Sequence, residues 1–159
     1  MRKLYKAGTE HRTYARMIQV SMDITAPLYW WKEMDRYTVG KSQVSCSTMH
    51  KIADKEFTLD DFSHEHLLPE AKEVLEVTIG VMNTYRLLYL EANDKVLWWQ
   101  LIQLLPSSYN QERTICMSYE TVFKIIKERT GHKLDEWHAL IETLRSLPYI
   151  NEIITEESK

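Results

Sequence analysis

Leu104 to Arg129 reads LLPSSYNQERTICMSYETVFKIIKER, and this stretch decides the fold. Pro106 lacks an amide donor and clashes with a continuing helix, so the apolar run before it must stop there. Arg113 to Met117 alternates, with Ile115 and Met117 on one face and Thr114 and Cys116 on the other, the pattern of a half-buried strand. Ser118 can accept a hydrogen bond from the free amides of a helix start, and Glu120 suits the positive end of the helix dipole. Val122, Ile125, Ile126 and Arg129 then recur at helical spacing, and Gly131 supplies a stop. A strand that feeds a capped helix is a natural place to hold a phosphate or a flavin.

Upstream, Met17 to Ile24 puts Ile18, Val20, Met22 and Ile24 on one face of a period-two strand. Thr25-Ala26-Pro27 then opens a helix over about Pro27–Tyr37, since proline at the first helical position forfeits nothing. Leu28, Trp31 and Asp35 lie on one line of it, with Met34 beside them. Thr38 to Met49 is rich in hydroxyls and poor in apolar residues, which predicts a loop lining a site. Lys51 to Phe62 reads as helix and turn. Pro69 starts a long helix to about Glu91, with Val74, Val77, Val81, Tyr85 and Leu88 as its apolar line. Asn93-Asp94 ends that helix and caps the next, Lys95 to Leu105, which is nearly all apolar and therefore expected to be buried. Downstream, a final helix over about 134–147 carries Leu134, Trp137, Ile141 and Leu144, and Pro148 stops it.

The 159 residues suffice for one domain with a core, divided here as a polar arm (1–16), the domain proper (17–148) and an acidic tail (149–159). In the arm, His11 and Arg12 are candidates to face a phosphate. A formal charge of −3 disfavours a broad nucleic-acid surface, while leaving room for local basic pockets. The basic N-terminus has no apolar core segment, and no apolar run approaches the roughly 20 residues a membrane helix needs. Cys46 and Cys116 stand far apart with no CxxC, as expected of reduced thiols in a cytoplasmic protein. His64 and His66 stand at i, i+2 with no third ligand at a recognised spacing, so no metal site is expected. Trp30-Trp31 and Trp98-Trp99 are adjacent pairs, which one amphipathic face cannot bury together. One member of each pair is a candidate for a subunit interface or a flat ring ligand.

The order of elements from about Met17 to Leu147 resembles the flavin-dependent thymidylate synthases, which methylate dUMP using FAD and a folate. The matches are Ala26-Pro27 at the first helix, Leu105-Pro106 ending the buried helix, and Pro106 to Arg129 without gaps, with Arg129 on the family's recurring arginine. The resemblance implies an α+β domain with an antiparallel sheet and long helices, assembled as a homotetramer with sites between chains. The family's arginine-histidine-arginine signature, with its spaced serine, asparagine, serine and arginine, falls here on Arg36, Tyr37, Thr38, Lys41, Gln43, Cys46 and Thr48. Only Arg36 is kept; a one-residue shift recovers Ser42 and Ser47 but loses Arg36. The family's asparagine-x-arginine becomes Ser118-Tyr119-Glu120, which reverses a charge. Its glutamine-x-glutamate-isoleucine-arginine becomes Leu134 to His138, where Glu136 alone is kept and His138 replaces the arginine that helps activate uracil.

A charge-assisted contact to phosphate contributes roughly 1.5–3 kcal/mol, so several missing arginines argue that the usual FAD and dUMP site is lost. The first reading is then a nucleotide-binding protein on this scaffold that does not make dTMP. Its ligand is a nucleotide or a nucleotide-derived small molecule, and its site is Arg36, Tyr37, Lys41, Ser42, Gln43, Ser45, Ser118, Arg129 and His138. A second reading keeps FAD and methyl transfer to a pyrimidine nucleotide at a rearranged site, with Tyr37 or His138 as the acid–base group. The missing phosphate clamp counts against FAD. A third reading is an oligomeric partner-binding protein anchored through Trp31 or Trp99.

Overall fold

The computed structural model describes residues 2–45 and 47–154. Three short helical pieces come first: α1 (Arg2–Lys6), a 3-10 turn (Thr9–Arg12) and α2 (Thr13–Arg16). Strand β1 (Gln19–Pro27) leads into α3 (Leu28–Met34), then β2 (Lys41–Ser45), α4 (Thr48–Lys51) and a 3-10 turn (Leu59–Asp61). The long α5 (Pro69–Ala92) and α6 (Lys95–Leu104) precede β3 (Asn110–Ser118), α7 (Tyr119–Arg129), α8 (Asp135–Ser146) and α9 (Ile150–Ile154). The strands form one antiparallel sheet in the order β1-β3-β2, which bears out the expected α+β class.

β1 alternates as expected, but it runs on through Pro27, so the helix opens at Leu28. The backbone pairing reaches that far: the Leu28 and Tyr29 amides, which have no partner within the helix they start, bond to the Tyr109 and Ser107 carbonyls, each at 3.0 Å. At its other end α3 stops at Met34, short of the expected Tyr37, as the Tyr37 amide closes a turn onto the Met34 carbonyl. The stretch 38–49, expected as a loop, holds β2 and the start of α4. β2 is the outer strand and most of it is exposed, so it needs few apolar residues. Cys46 lies outside the described residues.

Two compact units can be distinguished, one of residues 1–24, 33–44 and 114–159, the other of residues 25–32 and 45–113. In the first, Ile115 and Met117 are buried, as are Val122, Ile125 and Ile126 of α7 and Trp137, Leu140, Ile141 and Leu144 of α8. The arm over 1–16, polar in sequence, is packed in part, because Tyr5 and Ala15 are buried and the Tyr5 ring meets Phe123 edge-on at 4.8 Å. The described part of the expected tail is α9, with Ile150 and Ile153 buried, so 150–154 is not frayed.

The core of the second unit gathers Ile52, Phe57, Phe62, Leu75, Ile79, Met82 and Leu101. α5 has the expected bounds but buries the other face. Leu75, Ile79 and Met82 go inward, while Val74 (66 % exposed) and Val77 (67 %) stay in water with Val81 and Leu88. The helix carries apolar residues at helical spacing on two faces, and the core takes the one bearing the larger Leu, Ile and Met side chains. α6 likewise buries only Leu101, leaving Val96, Trp99 and Leu104 exposed, which corrects the expectation of a wholly buried helix. Trp30 and Trp31 are both fully buried, in T-shaped contact at 4.8 Å, so Trp31 is no interface anchor in this fold. Each ring has its own route inward: Trp31 bonds the Gln111 carbonyl at 2.9 Å and lies beneath Arg113 at 4.4 Å.

Candidate functional site

α7 is the element that builds the site. Its inward face is fixed by Val122, Ile125 and Ile126, which leaves Glu120, Lys124 and Lys127 together on the opposite, polar face. In front of that face lies a cavity of about 420 Å³. Tyr5, Tyr37 and Phe123 supply its aromatic surface, and Arg12, Arg16, Arg36, Lys124 and Lys127 supply its charge, against Glu120 as the acid in its lining.

Several of these side chains are fixed in place. Arg12 donates through Nε to the Tyr5 carbonyl at 3.2 Å and lies 3.8 Å over the Tyr5 ring. Arg16 grips Glu120 with two nitrogens, Nε at 2.6 Å and Nη2 at 3.2 Å, which neutralises the one carboxylate and raises the pKa of Arg16. Lys124 Nζ stands 5.7 Å from the Tyr37 ring centroid. The side chains of Arg36 and Lys127 make no hydrogen bond or ion pair with any of the described residues. A cavity with these features offers an anionic ligand both charge and a ring to stack on.

Tyr37 presents its ring to the cavity while its hydroxyl is spent behind it. The hydroxyl donates to Glu128 Oε2 and accepts from Arg129 Nε, both at 2.9 Å. Arg129 Nη1 reaches Glu33 Oε2 at 2.7 Å, and the same oxygen accepts from Trp137 Nε1 at 3.1 Å. Burial raises the Tyr37 pKa most, the Glu128 contact adds to this, and the Arg129 bond opposes it. The phenol therefore stays protonated at neutral pH and holds the ring rigidly, in no position to trade protons with a ligand.

The expected site residues divide accordingly. Arg36 and Tyr37 line the cavity. Arg129 does not line it and acts through Tyr37. Lys41, expected to hold a phosphate, is only 4 % exposed at its side chain, and its ammonium donates to the Met34 carbonyl at 3.0 Å and Gln43 Oε1 at 3.1 Å. Gln43 is occupied with Lys41 and with Asp35 Oδ1 at 2.8 Å. Ser42 and Ser118 line a second, more open cavity of about 510 Å³ on the same unit, together with Gln19, Cys116 and the Arg16–Glu120 pair. Ser45, at the exposed end of β2, belongs to the other compact unit. His138 is exposed and bonds the His132 carbonyl at 2.6 Å, lining neither cavity.

The start of α7 is less open to an anion than the sequence suggests. Ser118 caps it, accepting from the Thr121 amide at 3.4 Å, and the Ser118 and Tyr119 amides go to the Gly40 and Ile18 carbonyls at 2.8 and 2.9 Å. Gly40 takes a positive φ of 68°, and a Cβ there would sit 2.8 Å from both Ser118 Oγ and Thr121 Oγ1, so only glycine fits the turn. Of the arm residues, Arg12 lines the cavity while His11 is exposed and does not. Among the described residues no cluster of His, Cys, Asp and Glu could hold a metal ion, and His64 Nδ1 lies 2.8 Å from the Phe62 carbonyl. No helix among them is long and apolar enough to cross a membrane.

The fold around this site is that of the flavin-dependent thymidylate synthases, with known structures at low sequence identity. Thymidylate synthase X from Helicobacter pylori, solved with FAD and dUMP, aligns over 98 % of this chain and 80 % of that one, with a TM-score of 0.67 and 16 % identity. A UMP/dUMP methylase, PolB from Streptomyces cacaoi bound with 5-Br UMP, aligns over 91 % of this chain and 80 % of that one, with a TM-score of 0.59 and 12 % identity. No family model matches the sequence, and no curated relative does. The likeness therefore rests on three-dimensional arrangement, and at these identities it establishes the fold.

Proposed function

We propose that this chain binds a nucleotide in the cationic cavity of its first compact unit and does not make dTMP. The observation that carries the reading is the union of Tyr5, Tyr37 and Phe123 with four cations not neutralised by Glu120, in one cavity of about 420 Å³. Rings suit a base and cations suit a phosphate, and the volume sits toward the lower end of the roughly 300–1,000 Å³ of small-molecule sites. The neighbours solved with dUMP, FAD and 5-Br UMP support a nucleotide on this scaffold. Against thymidylate synthesis stand the spent Tyr37 hydroxyl, the spent Lys41 ammonium and the position of His138 outside the cavity, so none of these three expected groups is free to move a proton there.

FAD is the larger ligand. A cavity of about 420 Å³ suits a single nucleotide and not a whole flavin dinucleotide, so the residues of one protomer do not fit FAD. We propose further that the bare apolar stripe of α5, with Val96 and Trp99 of α6, packs against other copies in a homotetramer. A flavin would need that assembly to complete its pocket.

The test is calorimetric titration of the purified protein with dUMP and UMP, alongside a visible absorbance titration with FAD. Micromolar nucleotide binding, roughly −8 kcal/mol, with a flat flavin titration is the expected result. A shifted flavin band near ~450 nm at the same affinity would overturn the non-synthase reading and favour a rearranged methyltransferase. Heat from neither nucleotide would remove the binding function.

A further inference from the structure

Two of the cavity's cations lie on one face of a single helix. Lys124 and Lys127 are three residues apart on one face of α7, about 4.5 Å along the helix axis. Lys124 stands over the Tyr37 ring, and Arg36 follows directly before Tyr37 in the chain. Arg36, Lys124 and Lys127 have no carboxylate partner among the described residues, whereas Arg16 is already answered by Glu120. A single phosphate brings only about −1.5 to −2 of charge. Set against the three side-chain cations Arg36, Lys124 and Lys127, that leaves positive charge unmatched. Cations spread along a helix also suit a chain of phosphoryl groups better than one group, which would call for convergence on a point.

We infer that the preferred ligand is a nucleoside di- or triphosphate. Its base packs against the part of Tyr37 and Phe123 that reaches the cavity, and its phosphates run beside Lys124 toward Lys127. The inference rests on the nucleotide-binding reading above and narrows it. Because Lys124, Lys127 and Arg36 are exposed, the preference for the longer phosphate chain should fade as salt screens the charges.

The experiment is a calorimetric titration of the full chain with UMP, UDP, UTP and base-free tripolyphosphate, at low and at physiological salt. UTP is expected to bind at least about tenfold more tightly than UMP, with UDP between them, as extra charge-assisted contacts require. Tripolyphosphate is expected to be weaker than UTP, since it has no ring to stack. Lys127→Gln, on the exposed face of α7, should weaken UTP about tenfold more than it weakens UMP; circular dichroism checks that the variant is folded. Equal affinity for UMP and UTP, or equal losses for both in Lys127→Gln, would overturn the polyphosphate inference and leave the nucleotide site standing. Tripolyphosphate binding as tightly as UTP would also overturn it, by removing any role for the base. No binding by any of the four would overturn the nucleotide reading itself.

Discussion

α7 and α5 both carry apolar residues at helical spacing, yet their outer faces differ. α7 turns Val122, Ile125 and Ile126 inward and shows Glu120, Lys124 and Lys127 to a cavity. α5 turns Leu75, Ile79 and Met82 inward and shows Val74, Val77, Val81 and Leu88 to water. A helix with a charged outer face next to aromatic rings is equipped for a small anion. A helix whose outer face is as apolar as its inner one is equipped for another protein surface, because contiguous bare apolar area on that scale seldom stays uncovered. On the proposed reading the two regions divide the work, recognition falling to one compact unit and assembly to the other.

The strongest way to break this contrast is to empty either inner face. Ile126→Ala in α7 and Met82→Ala in α5 should each cost about 2–5 kcal/mol in chemical denaturation. If Met82→Ala proved silent, the buried face of α5 would be wrongly assigned. Next comes the turn before α7: Gly40→Ala forces a side chain into a positive φ and against two hydroxyls, at about 1–3 kcal/mol. Glu33→Ala removes the acceptor shared by Arg129 and Trp137 and should cost roughly 1–3 kcal/mol. It should also weaken nucleotide binding, through the loosened Tyr37 ring, in the titration described above. Ser118→Ala deletes the cap of α7 for about 1 kcal/mol. On the outer stripe, Val77→Ala should change the stability of the folded chain by no more than about 0.5 kcal/mol. Val77→Glu together with Trp99→Ala should lower the sedimenting mass, and an unchanged mass would count against assembly through this stripe.

The smallest effect concerns pH in the second unit. Burial works against an ionised Asp61, yet Lys55 and the backbone of Thr58 hold its carboxyl below the ordinary range. A depressed folded pKa contributes stability above the unfolded value of about 3.9 and loses it as pH falls through the folded one. Acid unfolding curves should therefore flatten slightly in Asp61→Asn, by up to about 1 kcal/mol for a pair whose lysine is exposed.

β3, α7 and α8 were legible in the sequence because each has one apolar face, bounded by Pro106, Ser118, Gly131 and Pro148. α5 was legible in its ends but not in its orientation, since spacing cannot rank two apolar faces. β2 was hidden because an outer strand can be polar throughout, and β1 outran its predicted end because Leu28 and Tyr29 found carbonyls on the Ser107–Tyr109 segment. At the site, Arg36, Tyr37 and Arg12 could be picked out, while Lys41 and His138 were placed on the strength of family correspondence and proved to be occupied elsewhere. Lys124 and Lys127 were missed, although the signal was present: they follow Glu120 on the face of α7 opposite Val122, Ile125 and Ile126. Their meeting with Tyr5 and Arg12 joins segments far apart in sequence, which no local pattern reveals.

The most direct test of a nucleotide in the α7 cavity is an amide chemical-shift titration of isotopically labelled protein with UTP. Shifts confined to the neighbourhood of Tyr5, Arg36, Tyr37, Lys124 and Lys127, saturating together, are the predicted result. Shifts that saturate elsewhere, for instance around Lys51 and Tyr109 of the second unit, with the α7 amides unmoved, would contradict it.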